Sequence, residues 1–228
     1  MQIAVLGTGM VGRTIAGKLA SLGHDVTVGT RDVDSLMART EGPMGGRIPP
    51  FSEWLAANDG VKVATFSDAA AAGELVVNAT AGDVSLNVLH SAGAEGLAGK
   101  VLMDISNPLD FSQGMPPSLS VCNTDSLSEQ VQAAFPDSKV VKTLNTTNAS
   151  VMVDPGSVAG GDHTMFVAGN DEGARAQVVE ILKGWFGWRD VIDLGDLTAA
   201  RGMEMVLPLW LRLYGAIGAP SFNFKIAR

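Results

Sequence analysis

The hydrophobic pattern changes period twice within the first thirty residues. Ile3, Val5 and Leu6 form a short apolar run from Gln2 to Leu6, the length and composition of a buried strand. Val11, Ile15, Leu19 and Leu22 then recur at helical spacing, and Gly23 stops the helix. Asp25 to Gly29 returns to a strand pattern, so the chain opens with the start of a βαβ unit. Gly42 to Pro50 reads GPMGGRIPP and predicts a loop, with a short helix from Ser52.

The alternation continues. Strands are expected at Val61–Ala64, Leu75–Asn78, Val101–Asp104 and Lys139–Thr143, with helices at Ser67–Ala72, Asp83–Ser91 and Ser126–Phe135. This order predicts an α/β fold, a Rossmann-type doubly wound parallel sheet. The Pro-rich stretch Asp104 to Ser120 follows a strand, where open α/β sheets place their ligands. The last third reads as a small C-terminal α/β portion packed on the sheet. It has strands at Thr164–Ala168 and Val191–Leu194, and a helix over Asp171–Trp185. Asp196 then caps a long apolar helix running to about Tyr214.

That last helix is apolar nearly all round. Met203, Val206, Leu207, Trp210, Leu211 and Tyr214 share helical spacing, and Met205, Leu209 and Leu213 fill other sides. Such a helix needs cover on more than one face, and a second copy is the expected cover, giving a homodimer.

Composition narrows the function classes. Hydrophobic residues make up 46% of the 228, which describes a globular chain with a full core. The net charge of −8 argues against a nucleic-acid or membrane-surface partner, both of which want a basic face. The apolar stretch from Met205 is broken by Pro208 and Arg212 and falls short of the ~20 residues a bilayer needs. No basic segment followed by an apolar run opens the sequence, so no signal peptide is expected. Cys122 is the one cysteine. It fits a reducing, cytoplasmic compartment and is expected to be a small buried hydrophobe.

Gly7-Thr8-Gly9-Met10-Val11-Gly12 is G-x-G-x-x-G between a strand and an amphipathic helix. In that context Gly7 permits the tight turn, Gly9 lets backbone approach a pyrophosphate, and Gly12 lets helix and strand pack closely. The phosphates would meet the positive end of the helix. NAD-binding chains usually carry an acid at the end of the second strand, on the ribose hydroxyls. Here Thr30 and Arg31 stand there. A hydroxyl donor and a guanidinium fork suit the 2′-phosphate of NADP, which an acid would repel. Asp32 is expected to be the N-cap of Val33–Met37. Residues 1–150 are therefore assigned to an NADP-binding domain, and 151–228 to a small C-terminal portion that dimerises.

Four stretches together carry a resemblance: IAVLGTGMVG, LGHDVTVGTRD, VVKTLNT and DLGDLTAARGMEMVLPLWLRL. The chain resembles the NADPH-dependent reductases of the deazaflavin coenzyme F-420, along essentially its whole length. The resemblance implies NADP and the deazaflavin face to face in a cleft between the Rossmann domain and the C-terminal portion, and implies that this portion closes the cleft. It places Thr8 to Val11 against the pyrophosphate and Thr30 and Arg31 on the 2′-phosphate. Ser35 takes the place where archaeal relatives carry a Lys to that phosphate. Ala79 and Thr80 would border the nicotinamide, and Asn107 and Ala149 would line the same cleft. Asn145 falls where those relatives carry a His near the ring. The Ala81-Gly82 pair replaces bulkier residues, a change expected to widen the site.

Ring-to-ring hydride transfer asks for alignment and exclusion of water more than for acid–base catalysis. No catalytic side chain is assigned, and no His, Cys or carboxylate cluster has metal-ligand spacing. His24 is expected in a helix–strand turn, His90 near a helix C-terminus, and His163 in a surface turn that could approach the cleft. Asp104 reads as a satisfied structural carboxylate. Two further readings stay open: a reductase of a small imine or keto acid, which would need a proton donor, and an NADP-sensing protein without turnover.

Overall fold

The computed structural model describes residues 1–42 and 45–228. Pro43 and Met44, inside the expected 42–50 loop, lie outside the described residues. The first half runs β1 (Gln2–Leu6), α1 (Met10–Ser21), β2 (Asp25–Thr30), α2 (Val33–Met37), α3 (Phe51–Ala56), β3 (Val61–Thr65), α4 (Phe66–Ala72), β4 (Leu75–Asn78), α5 (Gly82–Ala92), α6 (Ala94–Leu97) and β5 (Val101–Asp104). The second half runs β6 (Leu109–Asp110), β7 (Ser118–Leu119), α7 (Leu127–Ala134), β8 (Lys139–Thr143), α8 (Ala149–Val153), β9 (Thr164–Gly169), α9 (Glu172–Ile181), β10 (Asp190–Asp193), α10 (Ala200–Met205) and α11 (Leu207–Ile217).

Eight strands form one sheet in the order β10-β9-β8-β5-β4-β1-β2-β3. From β3 to β8 every pairing is parallel. The chain winds outward from β1 through β2 to β3, then returns to β4 on the other side of β1. The strand order therefore reverses between β1 and β4, and a crevice opens beyond their carboxyl ends. The doubly wound expectation holds. Its C-terminal part goes further than the sequence pattern indicated: β9 joins the same sheet antiparallel to β8, and β10 pairs parallel to β9. The sheet thus crosses residue 150 without a break.

The strands are apolar on both faces because helices cover both. Ile3, Val5, Val26 and Val28 pack with Ile15 and Leu19 of α1 on one side. Ala4, Leu6 and Val76 pack with Ala69, Leu89 and Val131 on the other. Side-chain caps fix several helix starts. Asp32 accepts from Ser35 N at 2.7 Å, Ser126 from Glu129 N at 3.1 Å, and Asp171 from Ala174 N at 2.7 Å.

Two expected helices differ in form. The segment after Asp171 is regular only to Ile181 and ends in a wider turn over Leu182–Phe186. The long C-terminal helix is two helices joined at Val206, with Asp196 capping the short turn before them through Thr198 N at 2.9 Å. Pro208 explains the junction: it lacks an N–H and fits the first turn of a new helix better than the middle of an old one.

Candidate functional site

The glycine turn between β1 and α1 separates what the fold requires from what a ligand requires. Gly7 has φ +129°, and a Cβ placed on it would stand 2.5 Å from the Ala79 carbonyl oxygen. A Cβ on Gly12 would stand 2.0 Å from the Gly7 carbonyl oxygen. Both glycines are demanded by the protein's own packing. A Cβ on Gly9 would meet nothing within 4 Å. Gly9 faces open space in the cleft, where a bound pyrophosphate would need the room. It is also the N-cap of α1, with no side-chain cap and no acid in the first turn, so the positive helix end is left for an anion. Met10 is exposed on that first turn.

Arg13 supports the turn from below. Its guanidinium donates to Thr8 O at 2.8 Å and Pro49 O at 2.6 Å and lies 5.2 Å over the Phe51 ring. It fastens the glycine turn to the chain that precedes α3.

The roles of these glycines make an expected contrast. Gly12→Ala should lower stability by about 1–3 kcal/mol through overpacking. Gly9→Ala should leave the unfolding midpoint unchanged while weakening NADPH at least tenfold. Thermal unfolding with and without NADPH checks both, and an unchanged NADPH affinity in Gly9→Ala would remove this role for the turn.

Two joined pockets lie along the carboxyl edge of the sheet. The larger, of 630 Å³, is lined by Gly7, Thr8 and Gly9, by Thr30, Arg31, Ser35 and Arg39, and by Phe66, Val84 and Val88. The smaller, of 360 Å³, is lined by Val11, Thr80, Gly82, Ile105, Asn107 and Phe111, with Asp83 exposed on its rim. Ala79, Thr80 and Ala81 line both and join them. The structure thus brings together residues spread from position 7 to position 111.

Thr30 is buried at the end of β2, with Arg31 exposed beside it. Asp32 also faces this pocket. The backbone N–H of Ser35 holds its carboxyl below the usual carboxylate range, despite a small opposing push from desolvation. Arg39 was not anticipated from sequence. It follows α2, whose single turn and a half brings the chain back to the pocket that Arg31 lines. Among the described residues neither Arg31 nor Arg39 pairs with an acid.

In the smaller pocket Thr80 Oγ1 donates to Asn78 Oδ1 at 2.7 Å, so its lone pairs remain for a ligand donor. Asn78 is fixed in turn by bonds to Ser85 Oγ at 2.7 Å and Asp104 Oδ1 at 2.8 Å. Asn145 and Ala149 do not line either pocket; both are buried, Asn145 behind the wall of the smaller one. Asn145 instead donates to Asn107 Oδ1 at 2.9 Å and to Met203 O at 3.0 Å. Gly82 sits where α5 meets the loop after β5. A Cβ there would stand 2.0 Å from Asn107 O, so the glycine lets α5 begin against the loop after β5.

Behind that wall lies a buried ionic cluster. Lys142 Nζ is 3.1 Å from Asp104 Oδ2 and 2.9 Å from Glu204 Oε1, and it also donates to the carbonyl of Ser106. Asp104 accepts from Ser128 Oγ and from Ser106 Oγ, the latter at 2.7 Å. Glu204 accepts the backbone N–H groups of Leu127 at 2.9 Å and Ser128 at 3.2 Å, capping α7 from α10. Asp104 is therefore the satisfied structural carboxylate expected. Lys142 lies 38 residues from it and Glu204, paired to the same ammonium, 100 residues from it, so the cluster carries no local signal.

The histidines are structural. His163 is not in a surface turn: it is 3% exposed, with Nε2 2.9 Å from Pro155 O and Nδ1 2.9 Å from Asn223 Nδ2. The Pro155 carbonyl can only accept, so Nε2 carries the proton toward it, and the Asn223 amide donates to Nδ1. His24 lies 4.2 Å from the Trp185 ring, and His90 lies 5.0 Å from Phe135. Cys122 is exposed, contrary to the buried position expected. Among the described residues no group of His, Cys, Asp and Glu could hold a metal ion. No helix among them is long and apolar enough to cross a membrane.

Comparison with known proteins gives the family. The family model described as NADP oxidoreductase, coenzyme F420-dependent, matches residues 2–108. No curated protein matches the sequence. A solved structure assigned as an F420-dependent NADP reductase from Arthrobacter sp. FB24 is 62% identical over 100% of both chains, with a TM-score of 0.96. The hypothetical protein SMa0349 from Sinorhizobium meliloti is 24% identical over 88% of both chains, with a TM-score of 0.67. An imine reductase from Streptomyces aurantiacus, 20% identical over 97% of this chain and 69% of its own with a TM-score of 0.58, shares the fold. The chain belongs to the F420-dependent NADP oxidoreductase family, as its four motifs led us to expect, and is an NADP-dependent oxidoreductase.

Proposed function

We propose that the cleft holds NADPH along the sheet edge and aligns it with a deazaflavin of the F-420 type. The adenosine half lies in the larger pocket, with the pyrophosphate against Gly7 to Val11 and the 2′-phosphate against Thr30, Arg31, Ser35 and Arg39. The nicotinamide lies in the smaller pocket against Ala79, Thr80 and Asn107. NADPH supplies a hydride there, and the deazaflavin ring accepts it together with one solvent proton. The chain's own part is to orient the ring and keep water away, through Val11, Ile105, Leu109 and Phe111.

The observation that carries this reading is the smaller pocket's lining. It is mostly apolar, with Thr80, Ser106 and Asn107 as its neutral polar groups and an exposed carboxylate, Asp83, on the rim. Among the described residues no histidine lines it. That suits a transfer between two rings better than reduction of an imine or ketone, which needs a placed proton donor. Mixing the protein with NADPH and F-420 tests it: the visible absorption of the oxidised deazaflavin should bleach in step with NADPH oxidation. If F-420 neither binds nor bleaches, the reading fails.

We also propose that a second copy covers α11. Only Leu207 of that helix is buried, while Leu209, Tyr214 and Ile217 are each more than 40% exposed. On this reading residues 1–150 bind NADP, and the later part completes the cleft wall and the dimer. Light scattering should give a dimer, and a micromolar monomer with full NADPH binding would remove the proposal.

A further inference from the structure

Two adjacent residues of α10 are each tied to one of two adjacent residues in the wall of the smaller pocket. Each tie passes through one side chain at the end of β8. Lys142 links Glu204 to the Ser106 carbonyl, its Nζ 2.9 Å from Glu204 Oε1. Asn145 Nδ2 links Met203 O at 3.0 Å to Asn107 Oδ1 at 2.9 Å, and Asn107 Nδ2 returns a bond to Asn145 O at 3.1 Å.

Neither linking side chain is free to touch a ligand. Lys142 is 0% exposed and gives its three protons to Asp104, Glu204 and Ser106. Asn145 is 1% exposed, and its amide hydrogens go to two fixed acceptors. The backbone carbonyl of Met203 can only accept, which settles which end of the amide is the donor. Two further costs are accepted at this point. Asn145 Oδ1 is buried with no hydrogen-bond partner. Leu144, just before it, has φ +60° although it is a buried leucine. Packing alone gives no reason for an amide with an orphaned oxygen on a strained turn. Fixing Asn107 does.

We propose that Asn145 is a positioning residue for the nicotinamide end of the cleft, setting Asn107 from α10 with Lys142 doing the same for Ser106. The adenosine end has no direct tie to α10: beyond the Ala79–Ala81 turn that both pockets share, its lining comes from the glycine turn, the end of β2, α2 and the residues around it, α4 and α5, none of which the Asn145 bonds reach. This rests on the reading that NADP lies with its nicotinamide in the smaller pocket. The seat of the C-terminal helices then shapes one half of the cofactor site and leaves the other half alone.

Calorimetric titration of Asn145→Ala with two probes tests the proposal: NADP⁺, and 2′-phospho-ADP-ribose, the same molecule without its nicotinamide. NADP⁺ should bind roughly tenfold more weakly, about the net worth of one lost hydrogen bond. The fragment should change by less than about twofold. Bound NADPH should also show a shorter nicotinamide fluorescence lifetime in the variant than in wild type, because the ring is held less firmly. Equal weakening of both probes would mark a general structural role and overturn the proposal, as would no weakening of either. If Asn145→Ala does not fold, Asn145→Ser, whose one hydroxyl proton cannot serve both acceptors, must show the same selective loss. Failure of wild type to bind either probe would instead refute NADP binding in this cleft.

Discussion

Lys142→Met should destabilise the protein by about 3–5 kcal/mol at neutral pH, because it strands two carboxylates in the interior. Lys142, Asp104 and Glu204 are all at most 1% exposed. Methionine fills the volume of the lysine stem but leaves Asp104 and Glu204 without their shared cation. Burial pushes the Lys142 ammonium down, and the carboxylates of Asp104 and Glu204 overcome it, leaving it raised above its ordinary 10.5. Burial pushes Asp104 up, and the Lys142 charge with the Ser128 and Ser106 hydroxyls more than offsets it, leaving it below 3.8.

The signs set the pH window. A raised lysine contributes stability that is complete below 10.5 and is lost as pH rises through its folded value. A lowered aspartate contributes stability that is complete above 3.8 and is lost as pH falls through its folded value. The wild type should therefore hold a stability plateau between those limits as far as this cluster decides it. The variant's deficit should shrink in mild acid, where Asp104, without the Lys142 charge that lowers it, can take up a proton. Urea unfolding at neutral and mildly acid pH measures both effects. A neutral-pH deficit under about 1 kcal/mol would show that the cluster is not holding the two charges in check.

The same cluster shows where sequence reading stops. β1, α1, β2 and the glycine turn were legible because they are local: a period, a glycine, a strand end and an arginine fall within thirty residues. β4, β5 and β8 match their apolar runs to the residue because parallel strands buried on both faces leave little else to read. β9 and β10 were recognised as strands, but their place in the main sheet was not, since pairing direction is set by distant partners. Lys142 is one of two lysines in β8, and Glu204 lies three residues after Arg201 in α10. Nothing in the neighbouring sequence marks either as buried, and the pair forms only where the fold brings β8 and α10 together. Arg39 stayed hidden for a smaller reason, because the length of α2 decides where it points. Asn145 was picked out by resemblance, yet its bonds to Asn107 and Met203 place it one layer behind the cleft.

Removing both Arg31 and Arg39 should abolish most of the preference for NADPH over NADH. The argument is one of local charge. A 2′-phosphate brings about two negative charges near neutral pH. Asp32 faces the same pocket and stays ionised, because the Ser35 backbone N–H holds its carboxyl low. Arg31 alone would therefore only balance Asp32. Arg39 restores a net positive site. Each single alanine variant should lose roughly 10- to 100-fold in NADPH affinity, as expected for one charge-assisted hydrogen bond. The double variant should lose more than either but less than the product, since both side chains are exposed and already screened by salt. NADH, which has no 2′-phosphate, should bind all three variants as it binds wild type. Asp32→Asn gives the opposite sign: asparagine still caps α2 through the Ser35 N–H, but the repelling charge is gone, so NADPH should tighten and NADH should not. Fluorescence titrations at low and moderate salt check the series, with NADPH affinity falling as salt rises. If wild type binds NADPH and NADH equally, or if the double variant loses both alike, Thr30, Arg31 and Arg39 do not select the phosphate.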